Sequence, residues 1–262
     1  MSEFSQIYSW ESEAELATDQ PEEAAIYYEW LLGLASGSKP GEALLRVGVS
    51  DVRGVEGRLA GWIPVFFVDD VDEAIARLRP GTWRLLDTGD GDGAYVADEQ
   101  GSVVRLRERA AGRSGGSMNF DYSALDLAAA ERFYTRLLDL EAAEVVDDTY
   151  AMRFLTSGRG IVAGVFQLSG IERLDRRPAW ITYFEVDSVE ELVNRAVQSG
   201  SRVRIPPVDS PINRYAVLDD PWGNLYGFSS LFGKERIGTF PMRGAASAEP
   251  SDYAEILFRN AP

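Results

Sequence analysis

The sequence contains no histidine and no cysteine. Without cysteine, disulfides, thiolate nucleophiles, cysteine-type structural zinc and thiol redox switching are excluded. Without histidine the chain lacks the side chain most used as a general base near neutral pH, and also the commonest transition-metal ligand. Acid–base chemistry is left to Asp, Glu, Tyr, Lys and Arg, and any metal site would be built from oxygens, a set that suits Mg, Ca or Mn better than Zn. Basic residues are also scarce, 26 against 42 acidic, for a net charge of −16. That field repels nucleic acid and anionic membrane surfaces, so neither is expected as a partner. No apolar run approaches the ~20 residues needed to span a bilayer. The opening MSEFSQIYSWESEAE has no basic segment followed by an apolar one, and the expected location is the cytoplasm.

What is present is said nearly twice. WIPVFFVDDVDEAIARL, from Trp62, returns as WITYFEVDSVEELVNRA, from Trp180. ELATDQPEEAAIYYEWLLGL, from Glu15, aligns without a gap with DYSALDLAAAERFYTRLLDL, from Asp121, and ADEQGSVVRL around Gly101 matches LDDPWGNLYGF around Gly223. Tyr134 follows Tyr28 by 106 residues, Trp180 follows Trp62 by 118, and Gly223 follows Gly101 by 122. The jump of 12 between the first two offsets gives the second copy an extra segment of hairpin length. Such internal similarity indicates a tandem unit. The 262 residues accommodate two domains of about 130 each. The expected division is 1–110 (an abridged first unit), a Gly/Ser linker at 111–117, a second unit at 118–232, and a tail at 233–262.

Each half reads as strand, helix and strands, and then the same again. In the first, strand Glu11–Thr18 precedes a helix opened by Pro21, striped by Ala24, Ala25, Tyr28, Leu31 and Leu32 and stopped at Gly33. Strands at Glu42–Ser50 and Trp62–Val68 lead to a helix over Val71–Arg79 and strands at Trp83–Asp87, Gly93–Ala97 and Ser102–Leu106. The GDGDG run resembles a calcium-loop fragment but lacks the downstream Glu, and reads as a turn. The second half repeats the order, with helices over Leu127–Leu138 and Val189–Ser199.

This βαβββ order, with F-x-V-D opening the second helix and D-P-x-G before the last strand, resembles the vicinal oxygen chelate superfamily of glyoxalases, bleomycin-resistance proteins and dioxygenases. W-x-x-Y-F-x-V-D and SPINRYAVLDDPWGNLYGF look like its tandem glyoxalase-like members. The resemblance implies an α+β fold of tandem βαβββ units, two domains each forming a cupped mixed β-sheet with helices on the convex side and ligand on the concave one. Carried over by strand alternation, the second cup receives Asn119, Asp121, Ile181, Tyr183, Glu185, Leu225 and Gly227. The superfamily's metal positions fall on Asn119, Ile181 and Gly227 there, and on Glu13, Ile63 and Arg105 in the first cup. Isoleucine and glycine side chains bind no metal, so neither a metal nor another cofactor is expected.

Asp121 and Glu185 are read as a carboxylate pair for proton transfer and Tyr183 as a phenol that orients a carbonyl or hydroxyl. Asn119, Arg153, Ile181, Arg214, Leu225 and Gly227 are read as substrate-binding, the arginines because guanidinium suits planar anions. The structural alternatives are rim hydrogen bonds for the carboxylates, packing for Tyr183 and salt bridges for the arginines. An ion pair such as Glu13 to Arg105 would fill the first cup and make that half a scaffold. Trp62 and Trp180 are read as structural. The leading expectation is a metal-independent enzyme carrying out isomerisation, cyclisation or elimination on a hydrophobic, oxygenated or aromatic small molecule, as in secondary metabolism. Its alternatives are a drug- or metabolite-sequestering protein and a divalent-metal lyase or dioxygenase with an all-oxygen site. A monomeric pseudo-dimer or a homodimer is the expected assembly.

Overall fold

The computed structural model describes residues 12–18, 20–33, 45–48, 61–86, 93–109, 118–145, 151–157, 160–168, 177–210, 212–232 and 242–243. The expected linker at 111–117, the GDGDG turn except its last residue, Gly93, and nearly all of the tail lie outside the described residues. The first half consists of β1 (Ser12–Ala17), α1 (Pro21–Leu32), β2 (Leu45–Gly48), β3 (Gly61–Val68), α2 (Val71–Ala76), β4 (Trp83–Leu86), β5 (Ala94–Asp98) and β6 (Val103–Glu108). The second consists of β7 (Asn119–Ala124), α3 (Leu127–Leu138), β8 (Glu141–Val145), β9 (Met152–Ser157), β10 (Gly160–Gln167), β11 (Ala179–Glu185), α4 (Val189–Gln198), β12 (Arg202–Asp209), β13 (Asn213–Asp219) and β14 (Leu225–Leu231). A two-residue strand, β15 (Met242–Arg243), follows and pairs with β8, so this part of the tail docks on the second sheet.

The strands make two mixed sheets, ordered β2-β1-β3-β6-β5-β4 and β12-β13-β14-β11-β7-β10-β9-β8-β15. One pairing scheme recurs at both centres. β1 is antiparallel to β3, which is parallel to β6; β7 is antiparallel to β11, which is parallel to β14. β2 lies parallel beside β1 as β10 lies beside β7. Among the described residues nothing extends the first sheet beyond β2, where β9, β8 and β15 extend the second.

The helices start where local chemistry dictates. Pro21 opens α1, where a missing N–H costs nothing. Asp70, Asp126 and Ser188 cap α2, α3 and α4 by accepting a backbone N–H three residues on. α1 ends in a left-handed Gly33 (φ 68°), and α3 ends in a left-handed Asp139 (φ 53°) at the matching position. α2 stops at Ala76, short of the Arg79 expected from the sequence, because the chain turns after Arg77 ahead of Pro80-Gly81.

Strand alternation sends one set of side chains under the helices and the other into the cups. Leu16, Phe66, Phe120, Tyr122, Trp180, Phe184, Tyr226 and Phe228 join the helix residues in one hydrophobic core that runs through both halves. Phe66 of the first half meets Phe120 and Trp180 of the second edge to face, and Trp62 meets Phe184 in the same way. Within this core a polar relay is built twice. Trp62 Nε1 donates to the Tyr28 hydroxyl (3.1 Å), which donates to Asp220 Oδ2 (3.0 Å); Trp180 Nε1 donates to Tyr134 (3.2 Å), which donates to Asp98 Oδ2 (3.0 Å). In both, the tyrosine belongs to one half and the aspartate to the other. The second oxygen of each aspartate organises its own turn, accepting from Gln100 and Ser102 N–H or from Trp222 and Asn224 N–H.

Candidate functional site

The two concave faces carry related residues in opposite conditions. On the first, Glu15 accepts from Arg105 at 2.6 Å and from the Tyr95 hydroxyl at 2.8 Å, and Arg107 stands 3.7 Å from Glu13. The Arg105 guanidinium lies over the Tyr95 ring at 4.8 Å, and that of Arg107 over Phe67 at 5.7 Å. All six side chains are buried. The expected Glu13–Arg105 pair is corrected to Glu15–Arg105 and Glu13–Arg107. The register sets Arg105 level with Val65 and Glu13, and the long guanidinium reaches the diagonal neighbour instead. Charge meets charge, and the face is filled.

On the second face the position of Arg105, moved by 122 residues, is Gly227. The carboxylate equivalent to Glu15, Asp121, therefore has no guanidinium across from it. It accepts from the Tyr183 hydroxyl and from backbone Gly164, but removal from water outweighs both bonds and pushes its pKa up to about 6. The register sets Phe154, Gly164, Asp121 and Ile181 in one row, and Asn119, Tyr183, Gly227 and Val217 in the next. The wall around them is apolar: Ile181, Tyr183 and Val217, with Phe166, Ile205, Tyr215 and Leu225 against them. Two glycines make the close approach possible. A Cβ at Gly164 would stand 2.1 Å from Asp121 Oδ1, and one at Gly227 would stand 2.4 Å from the Tyr183 ring. Asn119 is 1% exposed, and among the described residues its Oδ1 has no hydrogen-bond partner. A buried amide oxygen left so costs about 1–3 kcal/mol, and a ligand donor would recover it.

Residues 120–228 match the sequence profile of the Glyoxalase/Bleomycin resistance protein/Dioxygenase superfamily. The second half of the chain is thus similar to members of that superfamily. Among relatives, it is similar to a protein named as a glyoxylase, CFP32 of Mycobacterium tuberculosis, 27% identical over 205 residues that span 71% of this chain and 76% of that one. It is also similar to the anthracycline biosynthesis protein DnrV of Streptomyces peucetius, 29% identical over 190 residues, 66% of each chain. In fold it resembles the 2,2',3-trihydroxybiphenyl 1,2-dioxygenase of Sphingomonas wittichii, with a TM-score of 0.55 at 13% identity over 91% of both chains.

The superfamily's metal positions were placed on Asn119, Ile181 and Gly227, and the second cup does not fit a metal there. Ile181 and Gly227 offer no donor atom, and among the described residues no three acidic side chains gather as a ligand set.

The register also sorts the other expected site residues. Asn119, Asp121, Ile181, Tyr183, Leu225 and Gly227 share the concave face. Glu185 lies on that face, but Asp121 pairs with Ile181, four residues earlier on β11, so the two carboxylates are roughly 13 Å apart along the strand. The expected Asp121–Glu185 pair is not formed; Glu185 sits at the strand end, where its own partial desolvation and then the charge of Asp187 raise its pKa. Arg153 and Arg214 are not in the cup at all. Arg153 pairs across the sheet with Val165, a core residue under the helices, and binds Glu131 of α3 and Glu144, each at 3.2 Å. Arg214 is fixed by Glu190 of α4 at 2.6 Å and Asp209 at 2.7 Å. Gly164 went unrecognised from sequence. Its signal was an isolated glycine inside an apolar strand, VAGVF, a pattern that marks close approach of another group.

Proposed function

We propose that the second cup is the active centre of a metal-independent enzyme that moves a proton on a hydrophobic, oxygenated small molecule. The observation that carries this reading is Asp121, a carboxylate out of water that accepts from a phenol and a backbone N–H where its first-cup equivalent, Glu15, takes an arginine. With a pKa of about 6 it is ionised at neutral pH yet still a competent base. Asp121 takes a proton from a carbon next to a carbonyl, and the C–H electron pair passes to the carbonyl oxygen as an enolate. Returning the proton at a different carbon gives isomerisation; expelling a leaving group from the neighbouring carbon gives elimination. The Tyr183 hydroxyl holds the carboxylate in place, and Asn119 Oδ1 accepts from a substrate hydroxyl. The apolar wall selects a ring or chain of low polarity. The superfamily resemblance and the likeness to the anthracycline biosynthesis proteins support a place in secondary metabolism.

The rival reading is sequestration of a drug or metabolite by the same apolar wall. Native mass spectrometry of the protein from its producing cells identifies a retained small molecule, and turnover of that molecule by wild type and Asp121→Asn then separates the two. The expected result is a loss of about 10²- to 10⁴-fold in kcat with ligand affinity within about threefold. Binding without turnover in the wild-type protein supports sequestration. A preparation that loses all activity with chelator and regains it with Mg, Mn or Ca overturns the metal-independent proposal.

A further inference from the structure

A cavity lies where the halves meet, sharing Leu225 with the wall around Asp121 but not reaching Asp121 itself. It is a cleft of about 450 Å³, a volume in the usual range for small-molecule sites, lined by β3, β11 and the turns before β6 and β14. Its frame is assembled from matching pieces: Gly61, Trp62 and Ile63 opposite Ala179 and Trp180, and Gly101, Ser102 and Val103 opposite Gly223, Asn224 and Leu225. Gly61, Gly101 and Gly223 all have positive φ, and nothing lies within 4 Å of where a Cβ would stand on any of them. The rim is open backbone with room beside it.

The distinctive side chains come from one half only: Arg177, Arg204, Asp219 and Trp222. Asp219 takes the Nε of Arg204 at 2.5 Å, and among the described residues the terminal nitrogens of Arg204 have no hydrogen-bond partner. Arg177 is exposed and, among the described residues, has no ion-pair partner. Among the described residues the cleft therefore carries two guanidinium groups against one carboxylate, in a protein of net charge −16. The half-buried Arg153 and Arg214 each take two carboxylates, an arrangement that Arg177 and the terminal nitrogens of Arg204 do not have among the described residues. The half-buried Trp222, held edge to face by Tyr27 at 5.7 Å, adds a fixed aromatic surface.

We propose that this inter-half cleft is a second binding site, for a small aromatic carboxylate whose carboxyl group is held by Arg177 and Arg204 and whose ring lies against Trp222. Guanidinium matches a carboxylate with two parallel N–H donors, and an indole face matches a flat ring. Because both halves supply the frame, a molecule bound here ties them together and stabilises the full chain by linkage.

The test uses the full-length protein and 2-naphthoate as probe, followed by calorimetry and thermal unfolding, with 2-naphthalenemethanol and inorganic phosphate as comparison ligands. The expected result is saturable 2-naphthoate binding that raises Tm, falls at least tenfold in Arg177→Ala and in Trp222→Leu, and is unchanged in Asp121→Asn. Arg177 is exposed, so its replacement leaves folding intact. Binding that ignores both cleft substitutions, or that disappears in Asp121→Asn, overturns the proposal and assigns the probe to the cup. Equal binding of the neutral alcohol removes the anion requirement, and phosphate binding without 2-naphthoate binding removes the aromatic one; each overturns the ligand class. Since the readout is binding in the cleft, it stands or falls separately from turnover at Asp121.

Discussion

The difference between the two cups comes down to two positions, Arg105 and Gly227. An arginine in the first completes a buried ion pair with Glu15; a glycine in the second leaves Asp121 with a phenol and a backbone N–H. The energetic sign follows. Asp121 holds its proton more tightly folded than unfolded, so its contribution to stability is fully present below the unfolded value near 3.8 and is lost as pH rises through about 6. Asp121→Asn is therefore expected to stabilise the fold near neutral pH, by up to about 3 kcal/mol on the size of that shift, and to leave stability near pH 4 unchanged. Urea unfolding at the two pH values checks it. For wild-type turnover the expected kcat/KM rises through about pH 6 to a plateau, since the ionised carboxylate is the active form. Gly164→Ala places a methyl 2.1 Å from the Asp121 oxygen and is expected to cost at least about 2 kcal/mol and most of the turnover. Alternation along β7 and β11 was enough to put Asn119, Asp121 and Tyr183 on one face. It was not enough to bring Glu185 to Asp121, because their distance depends on register between strands, which a single sequence does not carry. Arg153 and Arg214 were misplaced for a related reason: the cross-strand partner Val165 and the helix carboxylates Glu131 and Glu190 that fix their side become visible only when the strands are paired.

At the scale of elements, the sequence marked most helices and strands because their ends carry chemistry. Pro21 announces a helix start and Gly33 a stop, while the caps Asp126 and Ser188 were recognised only in the structure. Asp139 is the exception. It occupies the position of Gly33 in the second copy and takes the same left-handed conformation at φ 53°, where a side chain is disfavoured by roughly 1 kcal/mol. Asp139→Gly is expected to raise stability by about 0.5–1 kcal/mol, and Gly33→Ala to lower it by about 1 kcal/mol, both read from denaturation midpoints at unchanged m-value. The edges of the second sheet were less legible. β12 is a long strand over Arg202–Asp209 whose pairing with β13 slips twice, and the alternating exposure it shows has no strong apolar repeat behind it. Met242 and Arg243 pair with Val145 and Glu144, a contact of two residues that no local pattern could announce.

Across the whole molecule the halves are joined by aromatic packing and by the two tyrosine–aspartate bonds that cross between them. Burial raises the pKa of both Asp98 and Asp220, and both tyrosines are held well above the ordinary phenol range for the same reason. Like Asp121, these aspartates contribute most below the unfolded carboxylate range and less as pH climbs, and falling pH also relieves a net charge of −16. The expected outcome is a Tm higher at about pH 5 than at about pH 8. Tyr28→Phe or Tyr134→Phe removes a bond to a carboxylate and is expected to cost about 2 kcal/mol, with a single cooperative transition retained because one core spans both halves. Sequence pointed to the matching of Tyr28 with Tyr134 and of Trp62 with Trp180, but the exchange of partners between halves is a property of the assembled chain. It has a further meaning. Each half carries a tyrosine for a socket like its own, so Tyr134 of one copy of the second half would find, in another copy, an Asp220 where it now finds Asp98. A fragment of residues 118–232 is thus expected to associate with itself through a symmetric interface, and sedimentation of the fragment with and without Tyr134→Phe checks it.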